Sequence, residues 1–475
     1  MRVVLVHPTG SNWVPGKKDI TATANRMAPL GLLSIAAWLG KDGNEVFVYD
    51  CLGPRMPKKN AVHAENILSH RPDLVGVSAT TSGFLDGYEL AERIKTLRPE
   101  VQTVFGGVHI SSLGAVLLEK FEHIDYLCRG EGEVTLAELA SGKPPERIDG
   151  LIWRDGDRIV TNPPRSVFTN LDALPFPTYE KLKGFPRGYH LPLFSFIQSP
   201  GATMVTSRGC PYQCSYCDRS VFKKSYRFNS AEYIYEHMRY LRKQFGIRHV
   251  NIYDDLFTAN RQRTIALCEM LIRKPLGIQF NCAIRAGQAD DELLKILKRA
   301  GCLMLSLGME TGDPELLEFH KPGVDLDDIR AAVRQIQAND LRVKGLFMMG
   351  LPGETEASIR KTMEYIMSLD LDDMNMSKFT PFHGAPIWTR ISEFGTFEED
   401  WKKMNCINFV FVPKGIGSIA KLEQLYNTSV KRFYNSRQWR RKFMKRLWQH
   451  RKSIMYFAAH LPAFLAARRH FEPNP

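Results

Sequence analysis

Two runs of alternating strand and helix, separated by a proline-rich stretch, constrain this chain more than any other feature of its sequence. In residues 1–140, short β-branched segments at 2–7, 45–49, 74–78, 102–105 and 124–127 are predicted as strands, with helices expected at 29–39, 61–69, 85–97 and 115–121. Strands apolar on both faces and separated by helices build a parallel, doubly wound sheet. From residue 201 the pattern resumes, with strands expected at 203–206, 249–253, 279–283, 304–308, 343–349 and 375–380, and helices at 231–245, 262–271, 291–300, 327–339 and 356–368. Six such units predict an α/β partial (β/α)6 TIM barrel, with its chemistry at the carboxyl ends of the strands. Between the two runs lie a hairpin around Asp155–Gly156 and the prolines of NPPR and LPFP, which mark a connecting segment. The expected division is a first domain at 1–142, a linker with a hairpin at 143–195, a barrel at 196–394 and an extension at 395–475.

Composition narrows the class. Hydrophobic residues make up 44% of the 475, which excludes a disordered or low-complexity protein. No apolar run approaches the ~18 residues that a membrane span needs, and MRVVLVHPTG reads as a strand, not a signal peptide. The nine cysteines, an odd number, do not form a disulfide framework, so a reducing cytoplasm is expected. The net charge of +13 favours an anionic partner, and ten Lys or Arg residues with no acid fall between Lys431 and Lys452.

Cys210, Cys214 and Cys217 follow the first barrel strand directly, in Cys-x3-Cys-x2-Cys spacing. Soft thiolates favour zinc or iron–sulfur centres. Structural zinc wants four ligands, usually as two distant pairs. A [4Fe–4S] cubane held by three local thiolates keeps one iron open to a substrate or cofactor. In the first domain, the crevice beyond the strand ends holds Asp50, Ser78–Thr81, Gly106–His109 and Gly130–Glu133, small and polar as a ligand floor or a plain strand-to-helix turn would be. Asp254 and Asp255 end the second barrel strand, where they read either as substrate-orienting or proton-accepting carboxylates or as a helix cap. His383, after the last strand, reads either as a substrate contact or as a structural histidine.

TSRGCPYQCSYC resembles the signature of the radical S-adenosylmethionine (SAM) superfamily. That resemblance implies that Cys210, Cys214 and Cys217 hold a [4Fe–4S] cluster whose fourth iron is chelated by SAM, and that Tyr216 lies against the adenine. It further implies that GMETG, from Gly308, contacts the ribose through Glu310, that GLFMMGLPGET, with Gly350, flanks the adenine, and that Arg285 meets the SAM carboxylate or the substrate. A reductant such as flavodoxin or ferredoxin would supply the electron. VSATTSGFLDGYELAERIK, FGGVHIS and CRGEGEVTLAELA resemble the segments of a Rossmann-like cobalamin-binding module. There Ser78, Thr80 and Thr81 would lie under the corrin, Gly106 and Gly107 would admit its nucleotide tail, and Gly130 and Glu131 would close the last strand. The module departs from the pattern that supplies a lower axial histidine, because the second strand ends in Asp50–Cys51–Leu52–Gly53.

Beyond residue 394 the alternation stops. Residues 422–451 read as one long basic helix with an apolar side, followed at 453–467 by fifteen mostly apolar residues too interrupted to span a bilayer. The helix fits peripheral contact with the inner face of a membrane, packing across the barrel, or RNA, of which RNA lacks stacking platforms. The whole layout is similar to the anaerobic magnesium-protoporphyrin monomethyl ester cyclase and its methylase relatives. That implies C-methylation of an unactivated carbon in a hydrophobic tetrapyrrole or isoprenoid, with hydroxylation or ring closure as the runner-up. A tRNA-methylthiolating enzyme would need three further cysteines in the first domain, which has Cys51 and Cys128 alone. A non-catalytic cobalamin sensor would leave the cysteine triad without a use.

Overall fold

The computed structural model describes residues 1–10, 25–57, 59–192 and 195–449, with isolated residues between 451 and 461. Strands β1 (Arg2–His7), β2 (Glu45–Asp50), β3 (Leu74–Ser78), β4 (Gln102–Gly106) and β5 (Tyr126–Cys128) form a parallel sheet in the order 2-1-3-4-5. Val3, Val4, Leu5 and Val6 are all fully buried, as a strand covered by helices on both faces requires. The chain order reverses between β1 and β3, which is where ligands bind in open sheets of this order. The expected hairpin forms β6 (Leu151–Asp155) and β7 (Arg158–Thr161) with Gly156 at φ +61°, and it pairs antiparallel with β5. It therefore extends the first sheet. Two helices not expected from sequence, Val108–Leu113 and Gly132–Ala140, begin beside the glycines that masked their pattern.

The second sheet is all parallel, its six strands running in order from the last in the chain at one edge to the first at the other. Its strands are β8 (Gly201–Met204), β11 (His249–Ile252), β12 (Gln279–Ile284), β13 (Cys302–Glu310), β14 (Arg342–Met349) and β15 (Asp373–Lys378). A two-residue ribbon, β9 (Ser207–Arg208) and β10 (Arg227–Phe228), brackets the cysteine loop. The barrel helices start where their sequences direct. Ser230, Asn260, Asp290, Asp325 and Thr355 each accept a backbone N–H of the following turn, a cap worth about 1 kcal/mol apiece. The six-strand sheet is the partial barrel expected from the second alternation.

The extension opens with a ribbon, β16 (Gly395–Phe397) and β17 (Phe411–Pro413). Between its strands Trp401 reaches back to the first domain, 5.5 Å from the Phe84 ring and 4.5 Å from His109. The helix expected at 422–451 is two helices, Ile419–Tyr434 and Arg437–Arg446, because Ser436 caps a new start through Trp439 N–H. The first packs across the barrel. It buries Leu422 and Phe433, and its Tyr426 and Tyr434 hydroxyls donate to the Met376 and Met374 carbonyls of edge strand β15 at 3.0 and 2.8 Å. In the second helix, Lys442 pairs with Asp370 at 2.8 Å and Arg446 pairs with Asp372, so part of the basic run is used internally. The apolar stretch expected at 453–467 lies almost wholly outside the described residues. No described helix is long and apolar enough to cross a membrane.

Candidate active site

The cysteine loop is anchored from below. Asp254, at the end of β11, accepts Thr206 N–H and the Thr206 hydroxyl, both at 2.5 Å, and Ser207 N–H at 3.1 Å, with Arg263 at 3.7 Å. Both carboxylate oxygens are thus committed to holding the segment that leads into the cysteines, which corrects the expectation of a substrate-facing role for Asp254. Gly209 turns the chain at φ +81°, and a Cβ there would sit 2.0 Å from Ser225 O. Cys210, Cys214 and Cys217 are half-exposed, whereas Cys51, Cys128, Cys268, Cys282 and Cys302 are buried. Burial, then Asp255 and the neighbouring thiols, raises Cys217 to about 12. Burial foremost raises Cys210 as well. Thiols raised in this way, at Cys210 and Cys217, ionise readily beside a cationic partner, which an iron cluster provides. Three thiolates on one loop suit a polynuclear iron–sulfur centre, whereas structural zinc takes four ligands.

Ser215 and His320, which the sequence gave no reason to single out, lock this loop to the barrel. His320 Nε2 donates to Pro352 O at 2.9 Å, so Nδ1 is left to accept from the Ser215 hydroxyl at 2.6 Å. Burial keeps this imidazole neutral by lowering its pKa. Glu310 sits at φ +62°, beside a register shift in β13, and pairs with Lys321 at 2.8 Å. Lys321 also donates to Gly308 O at 2.7 Å. A Cβ on Gly308 would fall 2.4 Å from Lys321 Nζ and 2.6 Å from Glu310 Oε1, so a side chain there would push this ion pair aside. Burial, then Glu310 and Cys214, pushes the Tyr216 hydroxyl far up, which places these three groups together. Arg285 lies 3.8 Å above the Tyr212 ring inside the cysteine loop and donates to Pro322 O at 2.7 Å. Gly350, at φ +88°, donates its N–H to Glu354 Oε2 at 2.5 Å. Glu354 is buried, and burial raises its carboxyl to about 8.

A cavity of about 320 Å³ lies between the two sheets. The first domain lines it with Ser78, Gly106, Gly107, Gly130 and Glu131, and the barrel with Val205, Arg208, Tyr253 and Asp255. A Cβ on Gly107, at φ +110°, would meet Ala79 O at 2.6 Å, and one on Gly76 would meet Leu5 at 2.9 Å, so both glycines are set by packing within the domain. The small residues at these strand ends make a cradle where a ligand of such a sheet binds. Thr80 and Thr81 do not line it: Thr81 is buried, and Thr80 turns to Ser82 at 3.4 Å. Asp50 is buried, accepting from Tyr189 at 2.9 Å with His7 Nδ1 at 2.8 Å. His237, from a barrel helix, also lines the cavity, with both ring nitrogens unpartnered among the described residues and the ring pushed down to about 3 by burial.

Glu131 is engaged by arginines. Arg208 bridges Glu131 and Glu133, each at 2.5 Å, and Arg227 reaches Glu131 at 2.8 Å. Burial opposes ionisation of Glu133, yet Arg208 and the Ser34 hydroxyl hold its carboxyl below the ordinary value. Because Arg208 precedes Cys210 by two residues, this network ties the glycine loop of the first domain to the cysteine loop. Asp255 opens on the cavity, and its carboxyl is raised by burial and then by Asp254. His383 does not line the cavity. It lies 2.7 Å from Glu399 and 4.1 Å from the Trp388 ring, at the contact between domain and extension, which corrects the expectation of a substrate contact.

Residues 204–366 match the Radical SAM superfamily and residues 16–140 the B12 binding domain. An uncharacterized methyltransferase of Pyrococcus horikoshii is 29% identical over 89% of this chain and 90% of its own length. The anaerobic magnesium-protoporphyrin IX monomethyl ester cyclase of Rubrivivax gelatinosus is 24% identical over 92% of this chain and 78% of its own. Among solved structures, the cobalamin-dependent SAM radical enzyme OxsB, with aqua-cobalamin and SAM bound, superposes with a TM-score of 0.71 over 96% of this chain and 72% of that one, at 17% identity, a likeness of fold.

Proposed function

We propose that this chain, a radical SAM enzyme with a cobalamin-binding domain, transfers a methyl group to an unactivated carbon of a largely apolar small molecule of the tetrapyrrole or isoprenoid kind. The observation that carries the reading is the shared cavity, into which the glycine loops of one domain and the strand ends of the other both open, beside the cysteine loop. When bound, the [4Fe–4S] cluster and SAM supply radical generation and cobalamin supplies methyl-group chemistry. Cys210, Cys214 and Cys217 would hold the cluster, Glu310 and Tyr216 the nucleoside of SAM, and Arg285 its carboxylate. Ser78, Gly106, Gly107 and Gly130 would receive the corrinoid, while Asp254, Ser215 and His320 keep the cysteine loop in place. Asp255, which opens on the cavity and whose carboxyl burial raises, would orient the substrate by hydrogen bonding.

Ring closure or hydroxylation of a tetrapyrrole is the second reading, favoured by likeness to the cyclase along 92% of the chain. A small acidic electron carrier such as flavodoxin or ferredoxin would deliver electrons, in a reducing cytoplasm that suits nine unpaired cysteines. Contact with a membrane surface would fall to the second C-terminal helix and its neighbours, where Trp448 is 78% exposed. The test is anoxic reconstitution of the full chain with iron, sulfide and hydroxocobalamin. About four irons and one corrinoid should remain per chain after desalting, and the Cys210→Ala, Cys214→Ala, Cys217→Ala triple variant should lose the iron. Retention of iron without corrinoid would remove methyl transfer from consideration.

A further inference from the structure

We propose that the substrate enters the barrel with a polar, hydrogen-bonding end first, received by Tyr253, Ser306 and the Lys344–Asp373 pair. This rests on the methyl-transfer reading and adds to it the chemistry of the reacting end of the substrate. The helix-facing side of the barrel sheet is apolar and buried, with Leu305 and Leu307 on β13, Val343 and Phe347 on β14, and Met374 and Met376 on β15. Side chains alternate along a strand, so the residues between these face the lumen. The parallel register sorts them into layers. Ala283 is level with Ser306, Ser306 with Lys344, and Lys344 with Asp373. Tyr253 joins that layer, because Asn251, two residues before it, is level with Asn281.

This layer is open. Tyr253, one residue past β11, which has a neighbour on each side, is 42% exposed, and Ser306 and Lys344 are half-exposed. Tyr253 also lines the cavity shared with the first domain, so the lumen communicates with it. Below, Asn281 donates to Asn251 at 2.8 Å and to Ser195 O at 2.7 Å, which closes the floor. Thr203 Oγ1 and Asn281 Oδ1 remain there, buried and without partners among the described residues. Buried polar atoms are retained where something polar meets them. Above the layer Leu346 and Met348 add apolar wall on β14, level with Asn375 and Ser377 on β15, and Val205 stands 39% exposed at the mouth. Lys344 and Asp373 lie 2.9 Å apart and cancel in charge, so the floor selects hydrogen-bonding capacity and not net charge. The occupant that fits is amphipathic. It has a hydroxyl, carboxyl or amide at the bottom, an apolar body above, and its acceptor carbon a few bonds from the polar group.

A strain lacking the gene, complemented with wild type, Tyr253→Phe or Ser306→Ala, tests this by comparative mass spectrometry of whole-cell extracts. The compound that accumulates without the gene should carry a hydroxyl, carboxyl or amide a few bonds from the carbon that is otherwise methylated. Each variant, having lost a single oxygen, should raise the precursor-to-product ratio at least fivefold, while iron and corrinoid content of the purified proteins stays at the wild-type level. A precursor whose acceptor carbon lies in a hydrocarbon framework remote from any heteroatom, or variants that process it as wild type does, overturns the inference. A precursor that differs from the product by something other than one methyl group refutes the methyl-transfer reading instead, and leaves its polarity to be judged separately.

Discussion

Replacing Arg208 by glutamine removes the centre of the only contact in which the glycine loop of the first domain and the strand before the cysteines share buried charges, among the described residues. Arg208 is about one-seventh exposed and Glu131 and Glu133 less than one-tenth, so solvent screens this network little. Breaking one side of a buried pair costs about 3–5 kcal/mol, because a charge is left behind without compensation. Here Glu131 keeps Arg227, so the loss centres on Glu133, which keeps the Ser34 hydroxyl and a backbone N–H. The lower end, about 3 kcal/mol, is therefore expected. The pH dependence follows from the direction of the shift. In the wild type the folded-state pKa of Glu133 is depressed, so its contribution is present above the unfolded value and fades as pH falls through the folded one. Without Arg208, burial dominates and the folded pKa rises above the unfolded one. The variant then loses stability as pH rises through that raised value. The gap between wild type and Arg208→Gln should accordingly be wide at pH 7.5 and narrower at pH 5. Anoxic urea unfolding followed by intrinsic fluorescence at both pH values measures it, with Arg208→Gln/Glu133→Gln expected to recover part of the loss at pH 7.5. Equal stability of wild type and variant at pH 7.5, or a gap that widens on acidification, would refute the reasoning.

Other substitutions probe separate parts of the site. Gly107→Ala forces a side chain into a left-handed conformation against Ala79 O, and should lower corrinoid retention at least tenfold in visible absorbance while cluster iron stays near normal; normal retention would discount the cradle. Asp254→Ala frees the Thr206–Ser207 segment and should cut reconstituted iron severalfold with helical circular dichroism preserved; full iron loading would show that the anchor is dispensable. His383→Gln should leave SAM cleavage within twofold of wild type, because the ring pairs with Glu399 outside the cavity; a tenfold loss would return it to the active site. Leu422→Ala, at a fully buried contact with the barrel, should cost about 2–5 kcal/mol in denaturant unfolding. A negligible loss would mean that the C-terminal helix is not part of the barrel fold.

The central strands of the first sheet were legible because they are continuous apolar runs, those of the barrel because strand-like segments recur between amphipathic helices, and the cysteine triad because its spacing is local. What escaped was non-local. Arg208 and Glu131 are 77 residues apart, Arg227 and Glu131 are 96 apart, and Ser215 and His320 are 105 apart. Nothing in a charge pattern announces such a meeting. Asp254 and Asp255 are more instructive. Adjacent residues at a strand end point to opposite sides, so only one of the two could face the cavity, and the alternation that placed Ile252 outward and Tyr253 inward already hinted at which. The C-terminal helix was read as continuous because Asn435 and Ser436 interrupt no hydrophobic period. Their role as a stop and a cap appears only once Trp439 N–H is seen to be accepted by Ser436. For His383, a histidine after the last strand carries no directional information, and its aromatic neighbours Trp388 and Trp401 come from beyond it in the chain.

The return of Trp401 to Phe84 and His109 gives the molecule the logic of a buckle. The chain leaves the first domain, builds the barrel, and then clasps the domain it started from, so the crevice between them is fastened at two ends by segments hundreds of positions apart. Phe84, His109 and Trp401 stand outside the residues that line the cavity, so the clasp holds the two domains in register without itself barring the crevice.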